Sequence, residues 1–169
     1  MEEIGVLARV ALFQGLADSQ IERILRHSKR RQYKEEEIII QEGDRGDCMF
    51  ILVAGRVQVS RTLTLRLSEG GFGEGEKSFT QLDGEGHPLF GEGSLLVEDS
   101  VRGATVTALT PCEVLEIHHN DFETLCREDP DLAYKVFRNM ARELNARLRR
   151  TNQDVLKLTT ALSIALSGR

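Results

Sequence analysis

Apolar residues change their spacing twice along the chain, which divides it into three zones. From about residue 3 to residue 30, Ile21, Ile24 and Leu25 recur at helical intervals. Leu12-Phe13 and Gly15-Leu16 precede them, and Ser19-x-x-Glu22 has the form of a capping box. This zone predicts a short helical unit. From about 31 to 117 the pattern becomes strand-like. Ile38-Ile39-Ile40 is β-branched and stops at Glu42-Gly43-Asp44; the apolar run Met49 to Val53 stops at Gly55. Val57 and Val59 alternate with polar residues, as does Thr62 to Leu67. Phe79 and Leu82, Thr105 to Leu109, and Val114 to Ile117 complete the series. Short strands punctuated by Gly and Asp predict an all-β sandwich or barrel.

The third zone begins near Asn120, where Asn120-x-x-Glu123 resembles a helix cap with its reciprocal acid. Pro130 suits the first turn of the next helix. From Leu132 to Ser167 there is neither Pro nor Gly, which permits a helix of more than 30 residues. Ala141, Leu148, Val155 and Leu162 fall seven apart; Phe137, Leu144, Thr151, Leu158 and Ala165 form a second such series. Only Thr151 interrupts the apolar seam, and this coiled-coil pattern predicts a homodimer through residues 137–165.

Composition narrows the function. Acids outnumber bases by 27 to 22, for a net charge of -5. That balance argues against a general nucleic-acid binder. The three cysteines, Cys48, Cys112 and Cys126, form neither a disulfide framework nor a C-x-x-C pair. Free thiols in a reducing cytoplasm are the expectation. The acidic start Met1-Glu2-Glu3-Ile4 lacks a signal peptide's basic and apolar regions, and no apolar run is long enough for a membrane.

Between Leu67 and Phe79, Gly71-x-Gly73-x-x-Glu76 is about half of a dinucleotide fingerprint. It does not open a helix and lacks the third glycine, so a hairpin tip is the better reading. The sharper signal is Leu89-Phe90-Gly91-Glu92-Gly93-Ser94-Leu95-Leu96, then Arg102-Gly103-Ala104-Thr105-Val106. Gly91 to Leu96 can turn from a loop into a short helix whose first N–H groups favour an anion. Gly91 and Gly93 permit close approach to the backbone. Glu92 offers an acceptor for a ribose hydroxyl, and Arg102 a charged fork for phosphate oxygens. Seen alone, Arg102 also fits a surface ion pair.

This stretch resembles the phosphate-binding cassette of cyclic-nucleotide-binding domains. Ile40-x-Glu42-Gly43-Asp44-x-Gly46-Asp47-x-Met49-Phe50-Ile51-Leu52-x-x-Gly55-x-Val57-x-Val59 is similar to the front of that family's β-roll. Leu12-Phe13-x-Gly15-Leu16 and Asp121-Phe122 fit as well, so the resemblance covers about residues 7 to 145. It implies a mainly β fold with flanking α: a jelly-roll-like β-roll (a double-stranded β-helix) with N-terminal helices and a long C-terminal helix. Residues 1–130 would be the binding domain and 131–169 the lid and dimerisation helix. Phe90, Gly91, Glu92, Gly93, Ser94, Arg102, Gly103 and Ala104 would line the ligand. Glu92 would bond the ribose 2′-hydroxyl, and Arg102 would pair with the cyclic phosphate. The ligand would be cyclic AMP or cyclic GMP, ahead of cyclic di-GMP.

The departures matter too. Gly103 stands where many bacterial relatives have Ser, and Gly93 replaces a common apolar residue. Glu98 and Asp99 bring negative charge near the expected phosphate. Met140-Ala141-Arg142 resembles the sensor half of the catabolite activator protein family, whose adenine-contacting Thr-Ser pair aligns with Arg147 and Leu148. Arg147 is therefore either a purine-stacking or base-bonding residue or a solvated arginine, and Thr151 is the next candidate one turn on. No helix-turn-helix follows the long helix before Arg169. The expectation is a stand-alone sensor that acts through an unidentified effector protein, without direct nucleic-acid or membrane binding. No nucleophile–base pair or metal set marks an enzyme, and His118-His119 reads as a strand-to-helix junction. The alternative is a ligand-free dimerisation module with a degenerate pocket.

Overall fold

A computed structural model describes residues 2–66, 72–97 and 100–167. Two helices, α1 (Glu2–Arg9) and α2 (Asp18–Arg26), flank a 3₁₀ turn at Ala11–Phe13. Ten strands follow: β1 (Ser28–Tyr33), β2 (Ile38–Ile40), β3 (Arg45–Gly46), β4 (Cys48–Ala54), β5 (Arg56–Arg66), β6 (Phe72–Asp83), β7 (Leu89–Phe90), β8 (Ser100–Val101), β9 (Thr105–Ala108) and β10 (Cys112–His118). The chain then enters α3 (His119–Glu128) and the 38-residue α4 (Pro130–Ser167).

The strands form two antiparallel four-stranded sheets, β1-β10-β4-β7 and β2-β9-β5-β6, with β3 and β8 paired separately. The alternation of side chains explains why β4 reads as one apolar run. Cys48, Phe50 and Leu52 join a core between the sheets with Val57, Phe90, Val106 and Val114. Met49 and Ile51 point the other way, into a second core with Leu12, Phe13, Ile21, Ile24, Phe122 and Leu125. A strand buried on both faces has no polar position to alternate with.

The start of α4 belongs to that second core. Leu132, Val136 and Met140 are buried there, and Asn139 donates to the carbonyls of Leu12 and Gln14 at 3.1 and 2.8 Å. The α3–α4 junction is clamped from α2. Gln20 donates to Asp129 and Asp131, and Arg23 donates to Glu128 and Asp129. From Ala141 onward α4 leaves the core, and Leu148, Val155, Leu158 and Leu162 are exposed.

Several expectations change. Ser19 does not cap α2. The helix opens after Ala17, whose N–H donates to the Gln20 side chain at 3.0 Å, because Gln20 rather than Glu22 lies where its side chain reaches back. Asn120 does not cap α3 either. The helix opens at His119, so Asn120 already lies in its first turn. The hairpin tip is shorter than expected, because Phe72 to Lys77 pair with Arg61 to Arg66 within β6 and β5. Residues 67–71, and also Glu98 and Asp99, lie outside the described residues. One strand was illegible: Ser28-Lys-Arg-Arg-Gln-Tyr33 is polar, yet it pairs with β10 along the sheet edge. A charged edge strand of this kind resists pairing with other chains.

Candidate functional site

β7 ends at Phe90, whose ring stacks on Phe50 with centroids 5.4 Å apart. Gly91 then takes φ of 74°, a left-handed conformation that glycine adopts without steric cost, and the chain turns into a 3₁₀ turn at Glu92–Leu95. This turn and the segment Ser100 to Ala104 wall a cavity of about 590 Å³. Ile40, Val59, Leu82 and Val106 supply apolar lining, while Arg147 and Arg150 reach it from α4.

The structure brings Phe90, Gly91, Glu92, Gly93, Ser94, Arg102, Gly103, Ala104 and Arg147 to this one cavity. Thr151 is not among its lining residues and is exposed on α4. Arg150 was missed by sequence reasoning. The available signal was its spacing, three residues from Arg147 and hence on the same helix face.

Arg102 is buried, at 8% exposure. Its Nη1 donates to Ser94 Oγ at 2.7 Å and to the Gly91 carbonyl at 3.3 Å. Its Nη2 donates to the Cys48 carbonyl at 2.7 Å and approaches Cys48 Sγ at 3.5 Å. The guanidinium also sits 5.9 Å from the Phe50 ring centroid. It is no surface ion pair but an internal brace that joins the 3₁₀ turn to β4. Two glycines make its room. A Cβ at Gly46 would lie 2.0 Å from Arg102 Nε, and one at Gly91 would lie 2.7 Å from Nη1. The bare backbone of Gly91 thus serves Arg102 before any ligand.

Ser94 is fully buried and bonds Ser100 Oγ at 3.1 Å, while its carbonyl faces His119 Nδ1 at 3.0 Å. The turn is therefore held from three sides. Glu92, mostly buried, pairs through Oε1 with Arg147 Nη1 of α4. Arg147 Nη2 also lies 3.8 Å from Glu143, one helical turn back. Beside the brace, burial and then the Glu116 carboxylate push the Cys48 thiol up to about 12, which keeps it a neutral thiol.

The sequence pattern of the cyclic nucleotide-binding domain matches residues 30–129, and the chain belongs to that family. It is 32% identical over 138 residues to a cyclic nucleotide-gated potassium channel of Mesorhizobium japonicum, covering 82% of this chain and 34% of that one. It is also 32% identical over 133 residues to the cyclic AMP receptor protein of Thermus thermophilus, covering 79% and 56%. The crystal structure of the Thermus thermophilus catabolite activator protein superposes with a TM-score of 0.71 at 29% identity, over 88% of this chain and 63% of that one. The chain thus spans only part of the length of these relatives, from about a third to three fifths. Among the described residues no helix is long and apolar enough to cross a membrane.

Proposed function

We propose that the chain is a regulatory sensor that binds a cyclic nucleoside monophosphate in the cavity beneath α4. The observation that carries this reading is the meeting of an acid and a base, Glu92 and Arg102, on the wall of a single cavity. The cavity's volume of about 590 Å³ falls within the range of small-molecule sites. The cyclic phosphate takes the face of Arg102 that opens to the cavity. The ribose hydroxyl donates to Glu92, whose carboxylate has acceptor capacity beyond the oxygen that Arg147 engages. Purine packs against Ile40, Val59 and Leu82 under α4. Because Glu92 serves both the sugar and Arg147, ligand and lid are bound to the same side chain. Ligand then biases the position of α4, and this is the conformational response.

In this reading residues 1–130 form the binding domain, and residues 131–169 form the lid and the dimerisation helix. The exposed seam of Leu148, Val155 and Leu162 on α4 supports a parallel homodimer through 137–165. The names of the relatives, a cyclic AMP receptor protein among them, support cyclic AMP as the first ligand to try. Calorimetry with cyclic AMP, cyclic GMP and cyclic di-GMP tests the proposal. A ligand at a hundred times its dissociation constant also stabilises the fold by about 2.7 kcal/mol in a thermal melt.

One observation favours the other reading, a dimerisation module with a degenerate pocket. The Nη1 and Nη2 donors of Arg102 are already engaged by Ser94, Gly91 and Cys48. Silence of all three ligands in both assays, with an intact dimer, would select that reading.

A further inference from the structure

The pairing of β4 with β10 sets His118 opposite Cys48. It assembles a cluster that residue spacing does not reveal. Cys48 Sγ, a His118 ring nitrogen and an Asp47 carboxylate oxygen all lie within 4.8 Å of one another. His118 Nδ1 is 3.5 Å from Asp47 Oδ2, and its Nε2 is 3.2 Å from Glu116 Oε1. Glu116 is itself fixed from the far side, where Arg31 Nε donates to Oε2 at 2.9 Å.

This is the layout of a metal site with its supporting carboxylate. A neutral imidazole has one N–H, yet both nitrogens of His118 face acids. One proton on Nε2 satisfies Glu116, and Nδ1 is then left as a lone pair directed toward Asp47. In that tautomer Nδ1 and the Asp47 carboxylate face each other as two ligand atoms that a metal cation can bridge. Metal-ligating histidines almost always present their other nitrogen to a carboxylate or carbonyl, which fixes the tautomer. Two ligand atoms on a tetrahedral zinc with bonds near 2.0 Å stand about 3.3 Å apart. The observed 3.5 Å needs little adjustment, and the remaining ligand atoms, all within 4.8 Å of one another, have at most about 1.5 Å to close.

We infer that Asp47, Cys48 and His118 form a binding site for a divalent transition metal of the zinc class. Glu116 orients the histidine, and a fourth position opens to solvent. The donor set decides the class. Thiolate with imidazole suits zinc, whereas calcium and magnesium take oxygen ligands. Uptake replaces the thiol proton with the metal, and the proton leaves to solvent. Asp47 and the edge of His118 are accessible to water, so the ion has an entry path.

The test uses the whole chain, stripped with chelator and without nucleotide, so it stands apart from the proposed function. Zinc is titrated against a chromophoric chelator, and cobalt is substituted to read the thiolate-to-metal absorption band. One metal per chain is expected, with the cobalt band lost in Cys48→Ser. His118→Gln and Asp47→Asn are the safer variants, since both side chains reach the surface, and both abolish saturable binding. Glu116→Gln weakens it by about 10- to 100-fold. Cys126→Ser leaves it unchanged. No saturable binding, or binding that survives His118→Gln and follows Cys126, overturns the site.

Discussion

The carboxylate of Glu92 and the guanidinium of Arg147, 55 positions apart, are joined in an ion pair across the cavity wall. It links the turn at the end of β7 to α4 at the point where the helix has just left the core. Arg147→Ala releases that link. Exposed pairs contribute about 0.2–1 kcal/mol, so nucleotide affinity falls by up to about fivefold. The loss appears in the dissociation rate, and stopped-flow measurements at low and high salt check it, because salt screens the pair in the unmutated chain. An unchanged dissociation rate would mean that the lid is not held at Glu92.

Arg102→Leu removes ligand binding and also weakens the fold. The substitution removes the Arg102 donors from the carbonyls of Cys48 and Gly91 and from Ser94 Oγ, and with them the link between the 3₁₀ turn and β4. A loss of about 1–3 kcal/mol in urea unfolding is expected. The sequence alone gives Arg102 a ligand or a surface ion pair, and not this internal brace. A variant as stable as the parent would show that the internal brace contributes nothing.

Gly46→Ala tests the position of Arg102 while keeping its charge. The new methyl collides with the Arg102 guanidinium, the far end of a flexible side chain, and with no backbone atom among its nearest contacts. The backbone therefore keeps its course, while Arg102 is pushed from its place and the brace is weakened with it. Calorimetry should give at least tenfold weaker nucleotide binding, the effect of losing one charge-assisted bond of about 1.5 kcal/mol or more. A parental affinity in this variant would place the phosphate away from Arg102.

Leu148→Asp should convert a dimer to a monomer, because the charge enters the α4 seam without a partner. Sedimentation at about tens of micromolar reads the result. A monomeric parent at that concentration would end the heptad reading.

Acid should weaken the clamp between α2 and α4. The Leu132 N–H, then the Gln20 amide, hold the Asp129 carboxyl below its ordinary 3.8. Lys135 and then Gln20 do the same for Asp131. With folded values below unfolded ones, the stabilisation is present above about pH 4 and is lost as pH falls through the folded values. Melting midpoints should drop in that window, and less steeply in Gln20→Met. Parallel curves for the two proteins would remove Gln20 from the account.

What the sequence revealed was what is local in it. Gly91 to Leu96 and Arg102 to Val106 each fall within a few residues, and a turn between strands is written in glycines and small side chains. The polar strand Ser28–Tyr33 was hidden because it is an edge, with only one neighbour to demand apolar character. Contacts made by strand pairing or by the return of α4 leave no spacing to read. Glu92 with Arg147, and Asp47 and Cys48 with His118, are of this kind. The burial of Arg102 was equally silent, since a motif names a residue without saying how many of its donors the protein itself has already taken.

The long exposed half of α4 has a mechanical meaning. From Arg147 to Ser167 the helix extends about 30 Å at 1.5 Å per residue. Over that length, a tilt of about 10° at Arg147 carries the distal end roughly 5 Å sideways. A displacement too small to disturb the roll would thus be read at Ser167 as a shift of about one helical turn, so in the proposed function the helix would act as a lever with its fulcrum beside the cavity.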